Sequence, residues 1–177
     1  MSDSSINPGK AYASNPQGRF GTFASNVAAS DPTTVGAGAS VSIDPGRPVT
    51  FQFPQPGPGN LQPPITIFLA NATGGSTTQD KAAANVAGIA VTAGEAPGNA
   101  TYFAGPGPVT LPIANWNAVV GGSTGLTTGA RYYLGLTPGT LTTTEPTDDS
   151  NFATPVGYAM SPTTLFVQIG LAVGPLT

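Results

Sequence analysis

Residues 125–141 read GLTTGARYYLGLTPGTL, two tyrosines between leucines with glycines on either side and Thr-Pro-Gly where a chain reverses. Alternation puts Tyr132, Leu134 and Leu136 on one face of a strand. Proline presets φ for a turn and glycine tolerates positive φ, so Pro138-Gly139 is the hinge. The returning segment, TLTTT (140–144), is rich in β-favouring threonine. The reading is a β-hairpin whose large side chains are core, with tyrosine chosen because a ring can be buried while its hydroxyl stays in water.

The same grammar extends along the chain. EPTDDSNFATP (145–155) is a loop. VGYAM (156–160) groups Val156, Tyr158 and Met160, Ser161-Pro162 starts a turn, and TLFVQIG (164–170) sets Leu165, Val167 and Ile169 on one face. Upstream, residues 39–53 predict a hairpin: Val41 and Ile43, a turn at Asp44-Pro45-Gly46, then Val49, Phe51 and Phe53. PQPGPGNLQPP (54–64) is an extended connector, because proline supplies no ladder donor. ITIFLA (65–70) reads as a strand buried on both faces, and within 71–85 QDKAAAN is the one stretch suited to a helical turn. Residues 86–92, 100–105, 109–113 and 116–120 read as further short strands. The expected fold is all-β: a compact antiparallel β-sandwich or barrel-like domain over 39–177, its main sandwich at 65–177, preceded by an extended, mostly irregular N-terminal arm at 1–38.

Composition agrees with short strands and tight turns. Glycine (24) and proline (19) make close to a quarter of the 177 residues, and only 7% are charged, against roughly 25% in an average soluble domain. No run approaches the roughly 20 apolar residues that span a bilayer, so no membrane partner is expected. The absence of Cys and His excludes disulfide frameworks and thiolate metal sites. The start, MSDSSINPGKAYASNPQG, lacks the basic-then-apolar layout of a secretion signal, which makes synthesis in a cytoplasm the expectation. The sequons at Asn71 and Asn99 are then chance occurrences in an Asn- and Thr-rich chain.

Residues 1–38 show hardly any apolar periodicity and cannot offset their ordering entropy alone. GRFGTF (18–23) offers two phenylalanines three apart beside an arginine, so Arg19, Phe20 and Phe23 are the candidate anchor by which an arm lies on a partner.

The layout GLTTGARYYLGLTPGTLTTTEP followed by TPVGYAMSPTTLFVQI, with KAAANVAGIAVTAGEAPGNATYFAGPGPVTL upstream, resembles a β-domain of tailed-bacteriophage virion proteins, found in capsid decoration (cement), head-fibre and tail-fibre proteins. The resemblance covers roughly residues 81–170. Its motif positions are Gly125, Leu126, Gly129, Tyr132, Tyr133, Leu134, Val156, Gly157, Ala159, Thr164, Leu165 and Val167, and their implied job is packing. The resemblance implies a non-enzymatic decoration protein on the capsid surface of a virion, made in a host cytoplasm. Its partners would be the major capsid protein and further copies of itself, as a dimer or trimer. The alternative it allows is a fibre module that binds host-surface glycans.

Other chemistries find little support. General acid–base or nucleophilic catalysis would have to be built from eight carboxylates and five basic residues, and no enzyme is expected. Glu145, Asp148 and Asp149 form the one acidic cluster, but their spacing lacks the EF-hand order, so neither a metal nor another cofactor is expected. Lys10, Arg19, Arg47, Lys81 and Arg131 are scattered in a chain of net charge −3, which argues against nucleic acid as a partner. Asn115, Trp116 and Asn117 combine an aromatic platform with amide groups and are the candidate glycan site, with a core tryptophan as the competing reading.

Overall fold

The computed structural model describes residues 20–25, 43–52, 66–74, 78–93, 98–148 and 150–174, with β1 described in its backbone alone. These residues form two antiparallel five-stranded sheets and two short helices. The first sheet contains β1 (Phe20–Ser25), β2 (Pro48–Gln52), β3 (Thr66–Leu69), β4 (Gly88–Ala90) and β5 (Gly98–Phe103), in the order β1-β5-β4-β2-β3. The second contains β6 (Gly107–Thr110), β7 (Arg131–Leu134), β8 (Leu141–Thr142), β9 (Pro155–Ser161) and β10 (Thr164–Val167), in the order β6-β10-β9-β7-β8. Helices α1 (Thr78–Ala84) and α2 (Ile113–Val120) pack beside them. The all-β expectation is met, and the chain passes between the sheets once, at residues 104–106.

The main core lies between the sheets. Ile89 and Phe103 from the first meet Val109, Tyr132, Leu134, Leu141, Val156, Ala159, Leu165 and Val167 from the second. Burial of such side chains, at about 25 cal/mol per Å² of apolar surface, is the main force holding the sheets together. A smaller cluster (Ile43, Val49, Ile67, Leu69, Ala90 and Tyr102) occupies the other face of the first sheet. There Phe51 and Tyr102 meet edge to face at 5.5 Å. The outermost strands β1 and β3 come into contact, so this sheet curls around that second cluster.

The quoted hairpin forms as predicted: Tyr133 pairs with Thr142 and Leu134 with Leu141. Two details differ. Leu136 is half exposed, because β7 ends at Leu134 and Gly135 already donates its amide to the Thr140 carbonyl at 2.9 Å. The Tyr132 ring is buried, and its hydroxyl accepts a hydrogen bond from the Thr127 amide at 2.8 Å rather than reaching water.

The strand expected at 116–120 is a helix. Pro112 stands just ahead of α2, and Gly121, at φ +68, caps it by donating to the Asn117 carbonyl at 2.9 Å. One turn apart, Trp116 and Val119 share its buried face. The expected helical turn near QDKAAAN is α1, and side chains and amides from outside the helix satisfy its last carbonyls. The Thr50 hydroxyl donates to Ala82, the Asn71 amide to Ala83 and the Thr154 hydroxyl to Ala84. Thr154 is fully buried, so this bond is worth about 1 kcal/mol and its loss would leave a carbonyl unpaired.

The turn at Asp44-Pro45-Gly46 also forms, with Gly46 at φ +95 and an Arg47–Asp44 ion pair of 3.3 Å across it. The ladder partners of β2 are β3 and β4. Of the segment ahead of the turn only Ile43 is described, buried in the second cluster. The connector at 54–64 lies outside the described residues.

Candidate functional site

The fold disperses the sequence candidates. Arg19 lies outside the described residues. Phe20 and Phe23 belong to β1, where their backbones pair with Phe103 and Ala100 of β5. That stretch of the expected arm is therefore a strand of the protein's own first sheet. Asp149 lies outside the described residues, while Glu145 and Asp148 are exposed. The Asp148 carboxylate is held below its ordinary pKa by the Ser150 amide and then the Ser150 hydroxyl, at 3.0 and 2.7 Å. This local turn explains its geometry. Among the described residues no three His, Cys, Asp or Glu side chains converge, and no helix is long and apolar enough to cross a membrane.

The candidate glycan platform at 115–117 is overturned. Trp116 is wholly buried and its indole N–H donates to the Thr163 carbonyl at 2.9 Å. Asn117 is used internally as well, its side-chain oxygen accepting from the Gly125 amide at 2.7 Å. A helix turns Trp116 into the core, whereas a strand could have turned it out. Phe152, Tyr102 and Phe103 are likewise buried, and burial raises the Tyr102 pKa. Asn71 is buried with its side-chain oxygen bound by the Thr73 amide at 3.1 Å, so that sequon is no surface acceptor.

The exposed aromatic surface is elsewhere, on the outward face of the second sheet. Register places Arg131 of β7 beside Tyr158 of β9, Tyr158 beside Phe166 of β10, and Phe166 beside Pro108 of β6. The Tyr158 and Phe166 rings stack at 5.2 Å with planes 21° apart. Tyr158 is 41% and Met160 53% exposed. Next to this row lies a groove of about 260 Å³ lined by Arg131, Pro155, Gly157, Tyr158, Gln168, Ile169 and Gly170.

Sequence reasoning missed this face because strict alternation grouped Tyr158 and Met160 with Val156 on one face. A bulge breaks that alternation: Tyr132 pairs with Gly157 but Tyr133 with Pro155, leaving Val156 as the extra residue of β9. Val156 stays buried, Gly157 and Ala159 turn inward, and Tyr158 and Met160 turn to solvent. The available signal was the alternation of small Gly157 and Ala159 with large Tyr158 and Met160, which suits a tightly packed inner face opposite an open outer one.

A second groove, of about 430 Å³, runs between β2 and the end of α1, lined by Thr50, Phe51, Lys81, Ala82, Asn85 and Val86, among others. Its walls are mostly apolar, and Lys81 is the one charged group on it among the described residues. Compared with protein-family models, with curated proteins and with solved structures, the chain matches none.

Proposed function

We propose that this is a non-enzymatic structural protein of a bacteriophage virion, a decoration (cement) protein that binds the outer surface of the head and stabilises contacts between major capsid protein subunits. The observation that supports this reading is how the motif of the resemblance packs. Leu126, Tyr132, Leu134, Val156, Ala159, Leu165 and Val167 are all buried in one cluster. The stretch likened to the phage virion domain thus behaves as a single packed unit. A chain with so little charge also suits life under a layer of partner contacts, since weak repulsion between molecules is a liability only for a free protein.

In the proposed mechanism the β-domain, self-associated about a symmetry axis, sits over joints between capsid subunits. The residues that precede β1 in the sequence would add backbone and apolar burial on a neighbouring chain. Many copies contributing modest burial each would stiffen a shell. The alternative, a fibre module with a glycan site at Trp116, loses its support with that residue in the core.

Copy number tests the proposal. Quantitative mass spectrometry of purified, intact virions is expected to give this protein in a ratio to the major capsid protein near one, or a simple fraction of one. A very small ratio would place it at unique vertices or on the tail and sink the cement reading. Absence from the particle would refute any virion role.

A further inference from the structure

We propose that the groove beside Tyr158 is a binding site for an acidic sugar, whose ring stacks on Tyr158 and whose carboxylate pairs with Arg131. The inference does not depend on the virion reading, since it stands on the chemistry of one sheet face.

Three observations converge there. First, Tyr158 presents an exposed ring to the groove, and Phe166, which does not line it, stacks against Tyr158 and holds that ring in place. A rigid aromatic face is what the apolar C–H face of a pyranose packs on, and holding the ring in advance reduces the entropy lost on binding. Second, Arg131 is exposed and, among the described residues, makes neither an ion pair nor a side-chain hydrogen bond, whereas Arg47 is paired with Asp44. A guanidinium offers a planar fork of donors that matches a carboxylate bidentately. With a net charge of −3 on the chain, attraction of an acidic ligand is local to this residue and screened beyond about 8 Å at physiological salt.

Third, the remaining walls suit a hydroxyl-rich ligand of one ring. Gln168 is exposed and carries an amide able both to donate and to accept. Gly157 and Gly170 line the groove with backbone alone, the space a side chain would take being filled by the Phe166 carbonyl and the Pro155 ring. The volume, about 260 Å³, falls just under the roughly 300–1,000 Å³ usual for drug-sized ligands. A peptide would need a longer track, and a neutral sugar would leave Arg131 without a counter-charge.

The test compares two sugars that differ at a single carbon. The full-length protein, labelled with ¹⁵N, is titrated with methyl β-D-glucuronide and with methyl β-D-glucoside while its amide spectrum is followed. The glucuronide is expected to shift the amides of Gly157, Gln168 and Gly170 saturably. It should bind about tenfold more tightly than the glucoside, the equivalent of one charge-assisted hydrogen bond. Arg131→Gln is expected to erase that difference, and Tyr158→Ala to abolish binding of both sugars. Both variants sit on an outward face, so an unchanged thermal midpoint checks their folding. No saturable shift with either sugar, equal affinity for the two, or shifts confined to other residues would overturn the proposal. Shifts at the same amides that depend on protein concentration without sugar, and vanish in Tyr158→Ala, would assign the face to a second copy of the chain and overturn it as well.

Discussion

Replacing Trp116 by alanine is expected to destabilise the protein by about 3–5 kcal/mol, the range for emptying a fully buried aromatic site. Two losses combine. Trp116 packs against Val119 and the inter-sheet cluster at zero exposure. Its N–H also satisfies the Thr163 carbonyl in the β9–β10 turn, which alanine would leave without that partner. Against a total stability of roughly 5–15 kcal/mol, this brings the domain close to unfolding at room temperature. Urea denaturation followed by circular dichroism should show a lower midpoint at an unchanged slope. A cost under about 1 kcal/mol, typical of exposed positions, would mean that Trp116 faces solvent and would restore it as a candidate sugar platform.

Gly125→Ala is expected to cost about 2–5 kcal/mol, although it adds a single methyl group. Gly125 sits at φ +77, where a side chain costs about 1–2 kcal/mol. A Cβ there would also overlap the Pro162 carbonyl oxygen, which is backbone and cannot swing aside. That oxygen accepts the Leu126 amide at 3.0 Å, so moving it disturbs the tie between the loop after α2 and the β9–β10 turn. Forced displacement of packed backbone adds about 1–3 kcal/mol. Gly129→Ala is the control, because it shares the backbone strain at φ +79 while a Cβ there would meet open space. The difference in thermal midpoint between the two variants isolates the clash. Equal midpoints would mean that strain alone accounts for the loss at Gly125.

Most of the second sheet could be read from the chain because its strands carry large apolar residues at period two and its turns carry Pro-Gly or Ser-Pro. What escaped did so for identifiable reasons. Six of the eight residues of helix α2 are Ile, Asn, Trp or Val, which are weaker helix formers than its two alanines, so only the flanking Pro112 and Gly121-Gly122 marked its bounds. Tyr158 was assigned to the wrong face because strict alternation was carried through a bulge, and a bulge depends on the partner strand rather than on β9 itself. The pairing of β1 with β5 joins residues nearly eighty positions apart, and nothing local in FGTFAS names that partner. Arg131 drew no attention as one of five scattered cations. Its position next to an aromatic pair exists only after β7, β9 and β10 are aligned.

The single passage between sheets at residues 104–106 also has a bearing on how the protein is made. The first five strands form one sheet and the last five the other, so every ladder closes within its own half of the chain. A ribosome releases the first half before the second, and the first sheet can complete its hydrogen bonds while Leu134, Leu165 and Val167 do not yet exist. Until they emerge, Ile89 and Phe103 have no opposing sheet to cover them. Synthesis is therefore expected to pass through an intermediate whose strand ladders are closed but whose inner face is bare, the kind of species that associates with its neighbours before it can finish folding.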